Sequence, residues 1–158
     1  MKKFRLELKW AIRFVLASLA WMILEKTVGL HDVHIAKHPI YTNLFAIVAI
    51  VIYVLALLDK RKTDFNGKMS WKQGFNSGIV ISIIVAVFSP LTQYITSTII
   101  TPEYFNNVIA YVVETGKMSQ EAAEGYFSLG SYIIQGFFGA LTMGIVTSAI
   151  VAFFVKKQ

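Results

Sequence analysis

The chain has 158 residues, 56% of them hydrophobic and only 15% charged, where a soluble domain has about 45–50% apolar and about 25% charged residues. It contains no cysteine, which excludes disulfides and thiolate chemistry. The net charge of +6 comes from basic residues gathered at the ends of long apolar runs, a distribution that points to a membrane and away from nucleic acid.

A helix needs roughly 20 mostly apolar residues to cross a bilayer. The first such segment, residues 10–28, carries Arg13 and Glu25 close to its ends, where long side chains reach the interface. A cleaved signal peptide is the rival reading. Arg13 interrupts its apolar region, however, and the run continues past Ala20 through Trp21, Met22, Ile23 and Leu24, so an uncleaved helix is expected. The second, third and fourth spans, residues 41–58, 75–98 and 131–154, each fall within a charge-free run. The sequence thus predicts an all-α fold: a single membrane domain over residues 1–158, with four transmembrane helices in a bundle.

Lys and Arg set its orientation. Lys2, Lys3, Arg5, Lys9 and Arg13 open the first span, Lys60, Arg61, Lys62, Lys68 and Lys72 join the second to the third, and Lys156 and Lys157 follow the fourth. Lys26, Lys37 and Lys117 are left for the other side, so both termini are expected in the cytoplasm, in the inner membrane of a bacterium. Lys60-Arg61-Lys62 is expected to meet anionic headgroups. Trp10 and Trp71 suit the inner headgroup level, and Tyr41 and Tyr132 the outer one. Asn66-Gly67 reads as a turn, and Ser70 through Gln73 as a capping box opening the third span.

The loop after the first span, residues 30–43, places His31, Asp32, His34 and His38 outside. His34 and His38 have the i, i+4 spacing of metal ligands, and Glu25 lies near. Gly29 should end the preceding helix, and Pro39 should push His38 out of helical geometry, so the four side chains need not converge. A hydrated polar loop is therefore expected, with metal binding as an alternative and no resident cofactor. Glu25, beside Lys26, is expected at the outer headgroups.

Span three carries Gly74, Gly78, Ser82 and Ala86 at every fourth position, and span four carries Gly136, Ala140, Gly144, Ser148 and Ala152. Such ridges let backbones approach closely, so the two spans are expected to pack antiparallel within the chain; the competing use is a homo-oligomer. Pro90 should kink span three, beyond which Thr92, Gln93, Thr96, Ser97 and Thr98 make it polar. Gln93 and Gln135 lie at similar depth and are expected to pair as interhelical glue, with a solute vestibule as the alternative. Between spans three and four, residues 103–114 alternate a polar face (Glu103, Asn106, Asn107, Ala110, Glu114) with an apolar one (Phe105, Val108, Ile109, Val112). This is an extracytoplasmic amphipathic helix starting at Pro102 and ended by Gly116, and Ser119 should cap a second short one.

Several segments, among them "KFRLELKWAIRFVLASLAWMILEK", "HPIYTNLFAI", "SPLTQYITSTIITPEYF" and "GIVTSAIVAFFVKK", resemble the bacterial domain-of-unknown-function 4199 family over essentially the whole chain. The resemblance implies a small four-helix integral membrane protein and supplies no catalytic residue. The sequence contains no HExxH, GxSxG or Walker motif and no paired carboxylates within a span. A non-enzymatic scaffold, assembly or regulatory protein, in contact with lipid and with a second copy or another membrane protein, is therefore expected. The alternatives are a small-solute transporter or channel subunit working as an oligomer and, more remotely, an extracytoplasmic metal-binding protein.

Overall fold

The computed structural model describes residues 4–157; Lys2 and Lys3 lie outside them. The helices are α1 (Arg5–Thr27), the single turn α2 (His38–Tyr41), α3 (Phe45–Asp64), α4 (Trp71–Ile95), α5 (Tyr104–Glu114), α6 (Gln120–Tyr126) and α7 (Leu129–Val155). Among the described residues the only β pairing is one isolated antiparallel bridge, Met69 with Lys157.

Local chemistry sets the boundaries. The Ser70 hydroxyl accepts from the Gln73 amide while the Gln73 side chain accepts from the Ser70 amide, a complete capping box at the start of α4. Asn66 and Gly67, with φ of 49° and 87°, turn the chain between α3 and α4. Ser119 caps α6 through the Ala122 amide. Helix α5 begins at Tyr104, with Glu103 as its N-cap, so Pro102 lies just before the helix and not at its first turn.

Three stretches, Ile35–Asp64, Trp71–Ile100 and Leu129–Val155, are long and apolar enough to cross a membrane. Four were expected. Helix α1 has the length, 23 residues, but Arg5, Glu7, Lys9, Arg13, Glu25 and Lys26 lower its apolarity. It nevertheless shares one core with the other three: Trp10 and Ala11 of α1 pack with Tyr53, Ala56 and Leu57 of α3, Ile81 and Val85 of α4, and Val151 and Ala152 of α7.

The closest approach is between α4 and α7. A Cβ built on Gly74 would lie 3.2 Å from the Ala152 Cβ, one on Gly78 would lie 2.4 Å from the Ser148 hydroxyl, and one on Gly144 would lie 2.5 Å from the Ser82 hydroxyl. Each step of four up one helix meets a step of four down the other, which makes an antiparallel ridge-on-ridge contact. Tyr53 of α3 reaches this seam and shares a 2.8 Å hydrogen bond with Ser82. The seam does not continue to Gly136, where a Cβ would meet nothing within 4 Å. The helices are therefore tight at the end carrying the C-terminus and part toward the other.

Helix α4 runs through Pro90 unbroken, and the Ala86 carbonyl, which proline leaves without its usual donor, accepts from the Ser89 hydroxyl at 2.9 Å. Further along, the helix passes into a π-helical turn over Thr96–Ile100. The expected Gln93–Gln135 pair is not formed. Gln93 donates to Ser97 and Gln135 to Ser131, each on its own helical stretch and each at 2.8 Å. The reason is angular: Gln135 precedes the ridge residue Gly136 by one position, which turns it about 100° away from α4 and leaves it exposed.

The tight end is bound by charge. Lys60 lies between Glu7, at 2.7 Å, and Asp64, and Ser77 donates to Glu7 at 2.8 Å. Lys9 and the Trp10 indole both donate to Asp59. Arg61 donates to the Val155 carbonyl at 2.7 Å, capping the C-terminus of α7. Two cations of the Lys60-Arg61-Lys62 run are thus engaged within the protein, and Trp10 is buried in it.

Two predictions follow from this packing. Gly78→Ala forces a methyl into Ser148 and should cost about 1–3 kcal/mol, whereas Gly136→Ala should be near neutral; thermal unfolding in detergent distinguishes them. Lys60→Met strands the buried Glu7 carboxylate and should cost about 3–5 kcal/mol. Adding Glu7→Gln should recover most of that loss in chemical denaturation.

Candidate functional site

The opposite end of the bundle holds a polar cluster that local sequence creates. Helix α1 stops at Thr27, and Gly29 adopts φ 78°. The Gly29 amide then bonds the Lys26 carbonyl and the Leu30 amide the Glu25 carbonyl, a Schellman turn. The turn doubles the chain back, so His31 comes to rest on Glu25, the residue whose carbonyl closes that turn. Seven residues later the chain re-enters helical geometry at His38, with φ −50° and ψ −47°. Proline at the start of a helix is no obstacle, since its missing N–H would be unpaired there. This corrects the expectation that Pro39 holds His38 away from helix.

Glu25 is 1% exposed and His31 6%. One carboxylate oxygen, Oε2, faces both imidazoles: His31 Nε2 at 3.0 Å and His38 Nε2 at 3.4 Å. The other, Oε1, accepts from the Trp21 indole one turn earlier on α1. The carboxylate is thereby fixed on both sides and is enclosed by the protein. Its neighbour Lys26 is exposed. His31, Glu25 and His38 offer ligand atoms that all lie within 4.8 Å of one another. Asp32 and His34, the other loop candidates, stay outside this group: both are exposed, and the Asp32 carboxylate accepts from the Val33 amide.

Helix α5 covers the cluster. Its Tyr104 ring packs edge-on against His31, with centroids 5.1 Å apart, and tilted against His38 at 5.2 Å. The Tyr104 hydroxyl lies 3.5 Å from His38 Nδ1 and 3.3 Å from the Tyr132 hydroxyl. Burial, with the Tyr132 phenol adding to it, pushes the Tyr104 phenol well above its ordinary range, so it remains a neutral hydroxyl. Asn107 donates to the His31 carbonyl at 3.0 Å. The apolar face of α5, through Val108 and Val112, packs on Ala123 of α6 and on Ile35. The amphipathic helix is therefore seated on its own chain.

A cavity of about 140 Å³ opens beside the imidazoles, lined by His31, His38, Tyr104 and Tyr132 together with Met22, Thr42, Gln93, Thr96, Ser97 and Thr101. A second, of about 160 Å³, lies between α1, α4 and α7 and shares Gln93 with the first; Ser89, Gly136 and Ala140 also line it. These spaces exist because α4 and α7 separate beyond Ala140. Thr92, Gln93, Thr96 and Ser97 thus wall cavities, whereas Thr98 is exposed and bonds the Tyr94 carbonyl of its own helical stretch.

The spacing of the loop histidines points to His34 and His38 as a pair and misses the role of Glu25, Trp21, Tyr104 and Tyr132. The available signal was Glu25 four residues before Gly29, because a glycine ending a helix there returns the chain onto that turn.

Gly29→Ala tests the geometry. An alanine there must hold a left-handed backbone and brings a Cβ within 2.6 Å of the Val33 side chain, a loss of about 1–2 kcal/mol. A lowered melting temperature with shifted His31 and His38 ring resonances is the expected outcome.

Comparison with known proteins finds one family, described as "Protein of unknown function (DUF4199)", whose model matches residues 9–157. No curated protein and no solved structure matches the chain. The family match takes in α1, the histidine loop, the covering helices and the α4–α7 seam, and the chain belongs to the DUF4199 family.

Proposed function

We propose that this chain spans a bacterial cytoplasmic membrane four times, with both termini inside, and acts without catalysis as a regulatory component that responds to a ligand at its outer end. The observation that carries this reading is the buried Glu25–His31–His38 cluster, held under α5 beside a polar cavity.

The fourth span is α1. The charges that lower its apolarity sit toward its two ends, and several are paired within the protein: Glu7 with Lys60, Lys9 with Asp59, and Glu25 with the imidazoles. Paired charges facing a bundle interior are compatible with a bilayer. Its outward side exposes Ile12, Leu16, Ile23 and Leu24, as α3 exposes Ile47, Ile50 and Leu55 and α7 exposes Phe138, Val146 and Ile150. An apolar belt on every long helix suits lipid and not water. Lys62, Lys68, Lys72 and Lys156 are exposed at the tight end, where positive charge belongs inside and anionic headgroups await it. Helices α5 and α6, with Glu103, Glu114, Glu121 and Glu124, then lie outside.

Transport is the second reading, favoured by the two cavities that share Gln93 in their walls. Cysteine accessibility and flux separate the proposals. Single cysteines at Asn66 and Lys117 should react with impermeant reagent from the inside and outside respectively, and liposomes bearing the protein should show no solute flux. Reversed labelling overturns the topology, and flux through an oligomer replaces regulation by transport.

A further inference from the structure

Resting on the reading of this cluster as the ligand site, we propose that Glu25, His31 and His38 bind one divalent transition-metal ion, of which zinc is the reference case. Charge balance argues for a cation. Glu25 is a carboxylate with 1% of its surface exposed, and among the described residues its ion pairs are to the two histidines alone. Among the described residues no lysine or arginine pairs with it, and a buried carboxylate without a fixed positive partner is costly.

The donor set fits the ion. Two imidazole nitrogens and one carboxylate oxygen form a known three-ligand set for zinc that leaves an open position. The same set suits ferrous iron, whereas magnesium and calcium prefer oxygen. Bonds of roughly 2.0–2.1 Å in a tetrahedron put neighbouring ligand atoms about 3.3 Å apart. Two of the three ligand–ligand edges, Oε2 to each Nε2, are 3.0 and 3.4 Å, and the third, between the imidazoles, lies within 4.8 Å and closes by a ring rotation on binding.

The surroundings fit as well. The Trp21 indole holds the far carboxylate oxygen, and the Tyr104 hydroxyl stands 3.5 Å from His38 Nδ1; outer partners of this kind orient metal ligands. The cavity beside the imidazoles, about 140 Å³, has room for the waters that complete the coordination.

The test uses the full chain in detergent, stripped with chelator and titrated with zinc, cobalt and magnesium salts. One zinc per chain, a raised melting temperature, ligand-field bands of four- or five-coordinate cobalt and no response to magnesium are expected. Glu25→Gln and His38→Asn should each weaken zinc binding by at least about 100-fold and Trp21→Phe by about tenfold, while His34→Ala in the same loop leaves it unchanged. No zinc uptake by the wild-type chain overturns the proposal. So does binding that survives both ligand substitutions, depends on His34, or is matched by magnesium. If the ligand variants fail to fold, the wild-type cobalt spectrum and Trp21→Phe decide. Reversed topology with metal uptake intact removes only the outer-face reading; correct topology without uptake removes only the metal.

Discussion

The α4–α7 seam is the constraint from which the remaining geometry follows. Gly74 against Ala152 and Gly78 against Ser148 bring two backbones close: a Cβ at Gly78 would overlap Ser148, and one at Gly74 would crowd Ala152. In lipid, where burying apolar surface supplies no drive between helices, such dispersion contact is a principal source of association. Ser82 and Ser148 keep their hydroxyls on the Gly78 and Gly144 carbonyls of their own helices. They are therefore small, internally satisfied residues, and the seam carries no unpaired polar group. Helix α3 registers on it through Tyr53 and Ser82.

Because the seam stops before Gly136, the molecule has two unlike ends. At the tight end the loops are stitched down: Met69 and Lys157 exchange backbone hydrogen bonds, and Arg61 caps α7. Acids and bases alternate there, so each buried ion has an opposite one. At the parted end α4 loosens into a π-helical turn, polar groups accumulate, and the space is filled by side chains from the loop after α1 and from α5. Rigid packing at one end and a lined cavity at the other is the arrangement expected where binding is carried by loops on a fixed frame.

The long helices were legible because their signals are redundant. Charge-free runs, a capping box at Ser70 and a turn at Asn66-Gly67 each mark the same boundaries, and repetition at every fourth residue exposed the seam. The number of membrane-long helices was less legible. The expectation of four counted residues 10–28 as a span, whereas the charges of α1 leave three stretches long and apolar enough to cross; their partners, Lys60 and His31, are brought near only by the fold. Gln93 and Gln135 show the complementary failure. Counting residues from the ends of two spans does not fix the angle around a helix, and one residue of offset turned Gln135 to the outside. The candidate site was legible only in part. His31 and His38 were visible as residue types, but the convergence of Glu25, His31 and His38 depends on a Schellman turn at Gly29, which sequence spacing records as an interruption and not as a link.

That turn also explains why the chain tolerates a buried carboxylate in a place where an apolar residue would cost less. Glu25 occupies the last turn of α1, where its backbone carbonyl is bound by the Leu30 amide and its side chain by Trp21, His31 and His38. An alanine or leucine there would serve the helix equally well. It would also leave the Trp21 indole and the His31 Nε2 without partners inside a closed site, at a cost comparable to the desolvation that Glu25 itself demands. The cluster is thus self-consistent only as a unit. A unit of this kind, whose members supply one another's hydrogen bonds and lose them together, has to be kept or replaced whole.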